Sequence, residues 1–151
     1  MRLTETQRKQ FAEIRSIMDK VVAAIPVANE SEYNQSAAVI NDNAAAIRVW
    51  VSQKDYKRGD LRVSPVDNVP YWSMHDHSSI AGQELEPSVS PTIWAHCHGT
   101  TPETARPFVA EGHNPYNIGH YCIENDNIYL CNQNNIVHPP SILPNAWDSV
   151  E

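Results

Sequence analysis

Two pairs of closely spaced histidines are the residues of this sequence best suited to bind a metal ion. They are His75 with His77, and His96 with His98. Residues two apart on a β-strand share a face, so each pair can present two imidazoles to one ion. Four imidazoles from two strands suit zinc, and one pair repeated about a threefold axis offers six nitrogens to zinc or iron. These four histidines are the candidate metal ligands, but the pattern is short, and the primary prediction is a protein without a cofactor.

A cysteine between two of these histidines is the candidate nucleophile of a thiol hydrolase. Neighbouring side chains on a strand point to opposite faces, so Cys97 is expected to face away from His96 and His98. No Asn or Asp partner is identifiable, and the sequence has no G-x-S-x-G, H-E-x-x-H, phosphate-loop or dinucleotide-binding motif. We therefore predict that the protein is not an enzyme, and a metal-dependent or thiol hydrolase is the third of three hypotheses.

Composition limits the classes of protein to which the chain can belong. Its 151 residues suffice for one ordinary domain or for two or three very small ones. Eleven Lys and Arg against 18 Asp and Glu give a net charge of −7 without a basic block, which argues against nucleic-acid binding. No stretch of about 18 apolar residues is present and the first residues are polar, so we expect neither a membrane span nor a signal peptide. The 11 Pro against 5 Gly, with 4 Trp, favour a loop-rich β protein.

The cysteines point to a reducing compartment. Cys97, Cys122 and Cys131 form an odd count without a C-x-x-C pair. A disulfide framework uses an even number, so free buried thiols are the expected state, with a cross-strand pair of Cys122 and Cys131 as the alternative. The chain is therefore predicted to be made in a reducing cytosol.

The first 48 residues are predicted to be helical. The stretch 4–25 contains no Gly or Pro, Thr4 can cap it with Gln7 three residues on, and Pro26 ends it. A second helix is predicted over 36–47, after a loop at 27–35, with a boundary near Arg48. Apolar residues in the first helix are spaced 3, 4, 3 and 4 apart, which predicts either packing on the protein's own domain or self-association as a dimer or trimer. These residues are Phe11, Ile14, Met18, Val21 and Ile25.

The rest of the chain contains an internal repeat of aromatic, Gly and Pro residues. The shared skeleton is Y-x-x-G, a later Tyr, and then P-S-x-x-P-x-x-W. The first copy matches at Trp50, Tyr56, Gly59, Asp60, Tyr71, Pro87, Pro91 and Trp94, and the second at Phe108, Tyr116, Gly119, Tyr129, Pro140, Pro144 and Trp147, with His120 in place of the Asp.

Each copy predicts a β-hairpin closed by a proline strap. The Gly supplies a turn from which the chain enters a strand, at 61–63 in one copy and 121–123 in the other. A polar Asp/Asn turn and a second strand, at 69–74 or 128–132, complete the hairpin. The Pro-rich segment cannot join a central strand, so it crosses as an extended strap and brings Trp94 or Trp147 back onto the hairpin.

This skeleton resembles the small chitin-binding type of carbohydrate-binding module, families 5 and 12. The resemblance covers roughly residues 49–95 and 106–148 and implies two tandem modules, of which the second has diverged. A helical segment before such a module is also similar to small tail-associated proteins of bacteriophages and prophages. That similarity, with the expected lack of a signal peptide, implies a location in the virion or the host cytoplasm. The predicted fold class is therefore mainly β with N-terminal helices: a helical segment at 1–48 and two small β-hairpin modules at 49–98 and 104–151.

Aromatic side chains are the expected glycan contacts, because aromatic faces stack on pyranose rings. If Tyr71 faces inward, strand alternation turns Trp72 outward, and Leu130 at its place in the second copy shows that the fold does not require Trp72. Trp72 is the main predicted contact, with packing on the helices or on a neighbouring subunit as the alternative, and Trp94 and Trp147 are expected in the core. The full set of candidate ligand-binding residues is Trp72, Tyr71, Trp94, Asp60, Tyr129 and Trp147.

Two functions from different classes follow from these residues and from the resemblance. The first is a non-catalytic accessory protein of a phage or prophage tail that binds a cell-surface glycan. The second is a structural or assembly protein, such as a tail-fibre chaperone or a virion decoration, whose modules contact other phage structural proteins.

Overall fold

The computed structural model describes residues 2–151 of the chain. Within them lie one long helix and nine short strands in three small sheets, with 29% helix and 23% strand. The long helix is N-terminal and the strands make up most of the rest of the protein, in agreement with the predicted class of a mainly β protein with N-terminal helices. The α-helices are α1 (Glu5–Ala23), α2 (Glu30–Gln35) and α3 (Ala37–Asp42), and the strands are β1 (Asp55–Tyr56), β2 (Leu61–Val63), β3 (Pro70–Ser73), β4 (His77–Ser78), β5 (Trp94–His96), β6 (Arg106–Pro107), β7 (Tyr121–Glu124), β8 (Asn127–Cys131) and β9 (Trp147–Val150).

The two larger sheets have the same construction. In the first, the antiparallel strands lie in the order β2-β3-β5, and the backbone at Val49 forms a parallel bridge to Val63 at its edge. In the second, the order is β6-β7-β8-β9, with β6 parallel to β7 and the other pairs antiparallel. The last strand of each sheet, β5 or β9, begins at the closing Trp, whereas the sequence predicted only a hairpin and a strap. The small sheet of β1 and β4 flanks the first hairpin.

The predicted N-terminus of α1 is confirmed. Thr4 caps the helix by accepting a hydrogen bond from the backbone of Gln7 at 3.1 Å, and the side chain of Gln7 accepts one from the backbone of Thr4 at 2.9 Å. The helix ends at Ala23, shortly before Pro26, which restricts the backbone of the residue in front of it.

The C-terminal half of α1 packs against the rest of the protein. This packing covers some of the apolar residues in the predicted heptad and leaves the others exposed. Asp19 pairs with both Arg15 and Arg48 at N–O distances of 2.7 Å. Ile25 lies beyond the helix and is 6% exposed in the core, and Met18 is half-buried. The five apolar residues of the predicted heptad therefore do not form one continuous exposed face.

The prediction of a loop over 27–35 is wrong, because α2 occupies its second half. Asn29 caps α2 by accepting a hydrogen bond from the backbone of Glu32 at 2.9 Å. The chain turns at Ser36, whose hydroxyl donates to the carbonyl of Pro26 at 2.6 Å. The predicted second helix is correspondingly shorter, since α3 ends at Asp42 and a 3-10 turn follows at Ala44–Ala46. The segment ESEYNQ lacks a helical apolar period, so its cap and its tertiary packing decide its structure.

The main core lies between the helices and the outer face of the first sheet. Its buried members come from both parts of the chain, so the helical segment covers the first module instead of standing apart from it. They are Ile25, Tyr33, Ala37, Ile40 and Ile47 from the helical segment, and Leu61, Val63, Trp72, Met74, Ala95 and Cys97 from the first module.

The two modules meet at a tight crossing immediately after β5. Gly99 forms a backbone bridge to Tyr121 at the start of β7. A Cβ atom at Gly99 would lie 2.4 Å from the carbonyl oxygen of Thr104, so this position has room for glycine alone. Arg106 ties the junction to the helices by donating to the carbonyl of Cys97 and, at 2.8 Å, to the side chain of Asn41.

In residues 2–151, no helix is both long enough and apolar enough to span a membrane.

Candidate functional site

The two halves of the chain hold their first turn with the same backbone contacts. Gly59 and Gly119 have φ angles of +96° and +93°, which side chains other than glycine rarely adopt. The backbone N–H of Gly59 donates to Ser73 at 2.8 Å, and that of Gly119 donates to Cys131 at 3.2 Å. The turn predicted from Y-x-x-G is thus formed in both copies.

In the second copy His120 stands where the first copy has Asp60, and the side chain still accepts the hydrogen bond that holds the turn. Asp60 accepts the backbone N–H of Lys57 through Oδ2 at 2.9 Å. His120 accepts the backbone N–H of Asn117 through Nδ1, also at 2.9 Å. Asp60 therefore has a structural role in its turn, and His120 fills the same role without a charge.

The closing tryptophans have equivalent surroundings and lie in the core, as predicted. Trp94 donates its indole N–H to the carbonyl nine residues earlier, that of Leu85, at 3.1 Å. Trp147 donates to the carbonyl of His138, again nine residues earlier and at 3.1 Å. Each ring also meets the first Tyr of its copy edge-on, with centroid distances of 5.3 and 5.2 Å. Neither indole is available as a surface platform, since Trp94 is 0% and Trp147 5% exposed.

The prediction that Trp72 faces outward to solvent is wrong. Strand alternation does place Trp72 opposite Tyr71, but α2 covers that face and Trp72 is 0% exposed. Its ring stacks on Tyr33 at 5.5 Å, the guanidinium of Arg58 lies 5.1 Å from its centroid, and its N–H donates to the carbonyl of Val27 at 3.0 Å. Trp72 is therefore a core residue in this structure, as the alternative of packing on the helices proposed.

The two candidate tyrosines also serve the modules' cores. Tyr71 is 5% exposed and donates its hydroxyl to Asp67 at 2.6 Å. Burial, together with this hydrogen bond and the charge of Asp67, raises the pKa of Tyr71. Tyr129 is half-buried against the core of the second module. Because Trp50 is buried as well, all four tryptophans are withdrawn from the surface.

The structure separates the two histidine pairs. His75 is exposed, and His77 stacks on Tyr56 with a centroid distance of 5.5 Å. His96 and His98 share one face of their strand, 5.7 Å apart between centroids, and both are buried between the modules. Within residues 2–151, no three His, Cys, Asp or Glu side chains are grouped in a way that could hold a metal ion.

The three thiols are free and buried. Cys97 faces the helices, away from the two histidines beside it, as strand alternation predicted, and its Sγ lies 3.7 Å from Oδ1 of Asn41. Burial raises the pKa of Cys97 to about 11 and that of Cys122 to about 12, so both thiols are protonated at neutral pH. Protonated thiols are poor nucleophiles.

A polar groove of about 830 Å³ lies between α2 and the loops of the second module. It has no aromatic platform, and side-chain amides dominate its walls. The residues that line this groove are Asn29, Glu30, Ser31, Asn34, Gln35, His113, Pro115, Asn117, Ile118, His120, Asn134 and Asn135.

The base of the groove is an internally satisfied amide network. Asn34, 5% exposed, donates to Oδ1 of Asn114 at 2.9 Å and to the carbonyl of Pro115 at 2.7 Å. Its own oxygen accepts a hydrogen bond from Nδ2 of Asn117. Asn114 in turn donates to the carbonyl of His96 at 2.6 Å. These bonds fix α2 against the second module, so the base of the groove is rigid.

The amides on the rim are oriented by their oxygens. Oδ1 of Asn29 accepts the backbone N–H of Glu32 at 2.9 Å, and Oδ1 of Asn134 accepts that of Ile118 at 3.1 Å. Both asparagines are exposed, so each offers its NH₂ group to a ligand in a fixed orientation. Such a surface suits a ligand rich in hydroxyl, carbonyl or carboxylate oxygens.

Two titratable groups beside the groove have shifted pKa values because they are buried. Burial lowers the pKa of His120 to about 4, although a hydrogen bond with the backbone of Asn34 raises it in part. Burial raises the pKa of Glu111 to about 7, and the exposed His113 lies 3.2 Å from its Oε2 without forming a hydrogen bond. The groove therefore carries little fixed charge of its own apart from Glu30, which pairs with Arg58 at 3.2 Å.

Sequence reasoning missed every residue of this groove except the turn position His120. The sequence does carry a signal, because Asn is concentrated in the loops of the second copy at 114, 117, 132, 134 and 135. What the sequence could not show is that α2 lies opposite these loops. Comparisons of the chain with models of protein families and with curated proteins return no match.

Proposed function

We propose that this chain is a non-catalytic accessory protein that binds a glycan in the polar groove between α2 and the second module. The observation that carries the proposal is the pair of rim amides, Asn29 and Asn134, whose NH₂ groups are held toward a concave surface by bonds to their oxygens. Sugars present many oxygen acceptors in a small volume, and oriented amides recognise them with little loss of side-chain entropy. The phage or prophage tail setting rests on the sequence resemblance.

A non-catalytic role is supported by the chemistry of the buried groups. The thiols are protonated, His96 and His98 are buried between the modules, and the cavity that His96 lines has only about 230 Å³. No metal or other cofactor is part of this proposal. The polar groove combines hydrogen-bond donors with a rigid base, which serves recognition.

Isosteric substitutions give a direct test of the groove. Asn29→Asp and Asn134→Asp keep the oxygen that caps the backbone and remove the NH₂ donors. Asn125→Asp/Asn145→Asp is the matched control, because both residues are exposed outside the groove and the pair gains the same two charges. We expect wild type and this control to be retained on a glycan array that includes chitin and peptidoglycan fragments, and the double groove variant to lose at least tenfold in affinity. Failure of the wild-type protein to bind any glycan would overturn the proposal.

Burial of all four tryptophans favours a second candidate, a structural or assembly protein that uses its modules for protein contacts. A tail-fibre chaperone or a virion decoration would belong to this class, and its partners would be other phage structural proteins. Competition separates the candidates, because a soluble oligosaccharide displaces a glycan ligand from the groove and leaves a protein partner bound.

A further inference from the structure

A second, smaller cavity lies between the two modules and shares no residue with the polar groove. This inter-module cavity has about 230 Å³, and residues of both modules line it. Tyr71, Trp94 and His96 of the first module are buried at its inner end, whereas Pro91 and Ala110 beside it are exposed. The cavity therefore reaches the surface between the proline strap of the first module and the segment that follows β6.

Two buried polar side chains of the inter-module cavity are incompletely paired. His96 is 5% and Glu111 9% exposed. Within residues 2–151, neither Nδ1 of His96 nor Oε2 of Glu111 has a hydrogen-bond partner. The carboxyl group of Glu111 lies beside the backbone of His96, so the two unpaired atoms belong to one region of the cavity. A buried polar atom without a partner is costly, and it marks a place where a bound molecule can be held.

Both unpaired atoms are hydrogen-bond acceptors near neutral pH. Burial lowers the pKa of His96 to about 4, so its imidazole is neutral, and Nδ1 accepts when the proton is on Nε2. Burial raises the pKa of Glu111 to about 7, so this carboxyl group is about half ionised at pH 7. His113 approaches Oε2 to 3.2 Å from the side of the polar groove, without forming a hydrogen bond. The cavity thus presents a neutral acceptor beside a carboxylate.

We propose that the inter-module cavity binds the ammonium group of a primary amine and packs its short carbon chain against Tyr71 and Trp94. An ammonium group has a positive charge and three N–H donors, so it can donate to His96 and to Glu111 at the same time. Aromatic rings attract organic cations, and an apolar wall accommodates the chain that carries the charge.

Other classes of ligand fit this cavity less well. An anion would meet the carboxylate of Glu111, and a hydroxyl group has only one proton to donate. A metal ion needs more ligands, and no three His, Cys, Asp or Glu side chains are suitably grouped anywhere in the described chain. Arg106, the positive charge that acts on His96, does not line the cavity, and its guanidinium donates to Cys97 and Asn41.

The volume of the cavity limits the size of the amine. At the roughly 30 Å³ that one water molecule occupies in the liquid, 230 Å³ holds about eight non-hydrogen atoms. Two sources of primary ammonium have this size, a small free amine and the end of a lysine side chain.

Titration with n-butylammonium at pH 8 tests the proposal. The NMR signals to follow are the indole N–H of Trp94 and the backbone N–H groups of His96 and Ala110. We expect a dissociation constant on the order of 1 mM. 1-Butanol has the same number of non-hydrogen atoms without the charge, and it should bind at least tenfold more weakly. Equal binding of 1-butanol, or no binding of butylammonium up to about 20 mM, would overturn the proposal.

The charge of Glu111 is tested by substitution and by pH. Glu111→Gln keeps the shape and removes the carboxylate, so butylammonium should bind at least tenfold more weakly. Glu103→Gln is the matched control, because Glu103 is exposed outside the cavity, and it should bind like wild type. For wild type, a change from pH 8 to pH 5.5 should weaken binding about 30-fold, since the ionised fraction of Glu111 falls by that factor while His96 stays neutral.

Two results would contradict Glu111 as the counter-ion of the amine. One is equal affinity of wild type and Glu111→Gln. The other is equal affinity of wild type at the two pH values, which does not require any variant to fold.

A second ligand separates the two sources of the ammonium group. N-acetyl-lysine methylamide presents the same four-carbon chain on a peptide backbone. Binding within tenfold of butylammonium would assign the cavity to a lysine side chain, and binding of butylammonium alone would assign it to a small free amine. Neither result depends on glycan binding in the polar groove, which the Asn29 and Asn134 variants test separately.

Discussion

Acidification should destabilise the junction between the two modules, because three histidines are buried there in the neutral form. Burial is the largest cause that lowers the pKa of His96 and of His120 to about 4, and it lowers that of His98 as well. The positive charge of Arg106 further lowers the pKa of His96. In the unfolded chain these groups titrate near 6.5, so below that pH the unfolded state binds more protons and stability falls.

The size of the effect follows from the shifts. A histidine whose pKa changes from 6.5 to 4 on folding costs about 2 kcal/mol between pH 7 and pH 5, and about 3 kcal/mol by pH 4. His96 and His120 together would therefore cost about 4 kcal/mol at pH 5. His98 adds to this loss in the same direction.

Glu111 opposes the histidines over part of the range. Its pKa is raised from 4.5 to about 7 by burial, so the folded state binds its proton first, and acidification from pH 7 to pH 5 contributes about 2 kcal/mol of stability. The two histidine losses and the Glu111 gain nearly cancel between pH 7 and pH 6. Below pH 6 the histidines dominate, with a net loss of about 1.5 kcal/mol at pH 5 and about 3 kcal/mol at pH 4, before the contribution of His98.

Urea unfolding at pH 7, 6, 5 and 4, followed by tryptophan fluorescence, measures this profile. His120→Asn keeps an oxygen that can accept the N–H of Asn117 and removes the titrating ring, so its loss from pH 7 to pH 5 should be about 2 kcal/mol smaller. Glu111→Gln should make the loss about 2 kcal/mol larger. The exposed His75→Asn is the control and should follow wild type. If His120→Asn and wild type lose the same free energy from pH 7 to pH 5, the buried neutral state of His120 is refuted.

Three further predictions concern the frame of the modules and can be measured by the same unfolding assay. Trp72→Ala should cost about 3–5 kcal/mol and expose the main core, whereas a surface tryptophan would cost little. Trp94→Phe and Trp147→Phe should each cost about 2 kcal/mol, because each variant loses the indole hydrogen bond and part of the buried ring; unequal losses would contradict the equivalence of the two copies. Gly59→Ala and Gly119→Ala should each cost about 1–2 kcal/mol through backbone strain alone, since no atom lies within 4 Å of the added Cβ, and no change would contradict the positive φ angles.

The parts of the fold that local chemistry determines could be predicted from the sequence. The cap at Thr4 needs only the side chain of Gln7, and the strand Leu61–Val63 has the predicted bounds. The turn between β7 and β8 has positive φ angles at Asn125 and Asp126, residue types that tolerate this conformation without glycine. In each case the stabilising contact lies within a few residues.

The parts that depend on distant contacts could not be predicted. Alternation correctly placed Tyr71 and Trp72 on opposite faces, but nothing near Trp72 in the sequence shows that Tyr33 and Val27 cover it. The groove has the same origin, because Asn29 and Asn134 are more than a hundred residues apart. The face of the sheet on which a residue lies follows from the alternation along its own strand. The element that covers this face comes from a distant part of the chain, so the local sequence does not show it.

Gly99 has a mechanical consequence for the whole molecule. The backbone at this residue packs closely against that of Thr104, and Arg106 links the same segment to Asn41 of α3 by a hydrogen bond. This close packing couples the orientation of the helical segment to that of the second module. Gly99→Ala would force the backbone at Thr104 to move away, and we expect it to loosen the contact between the two modules.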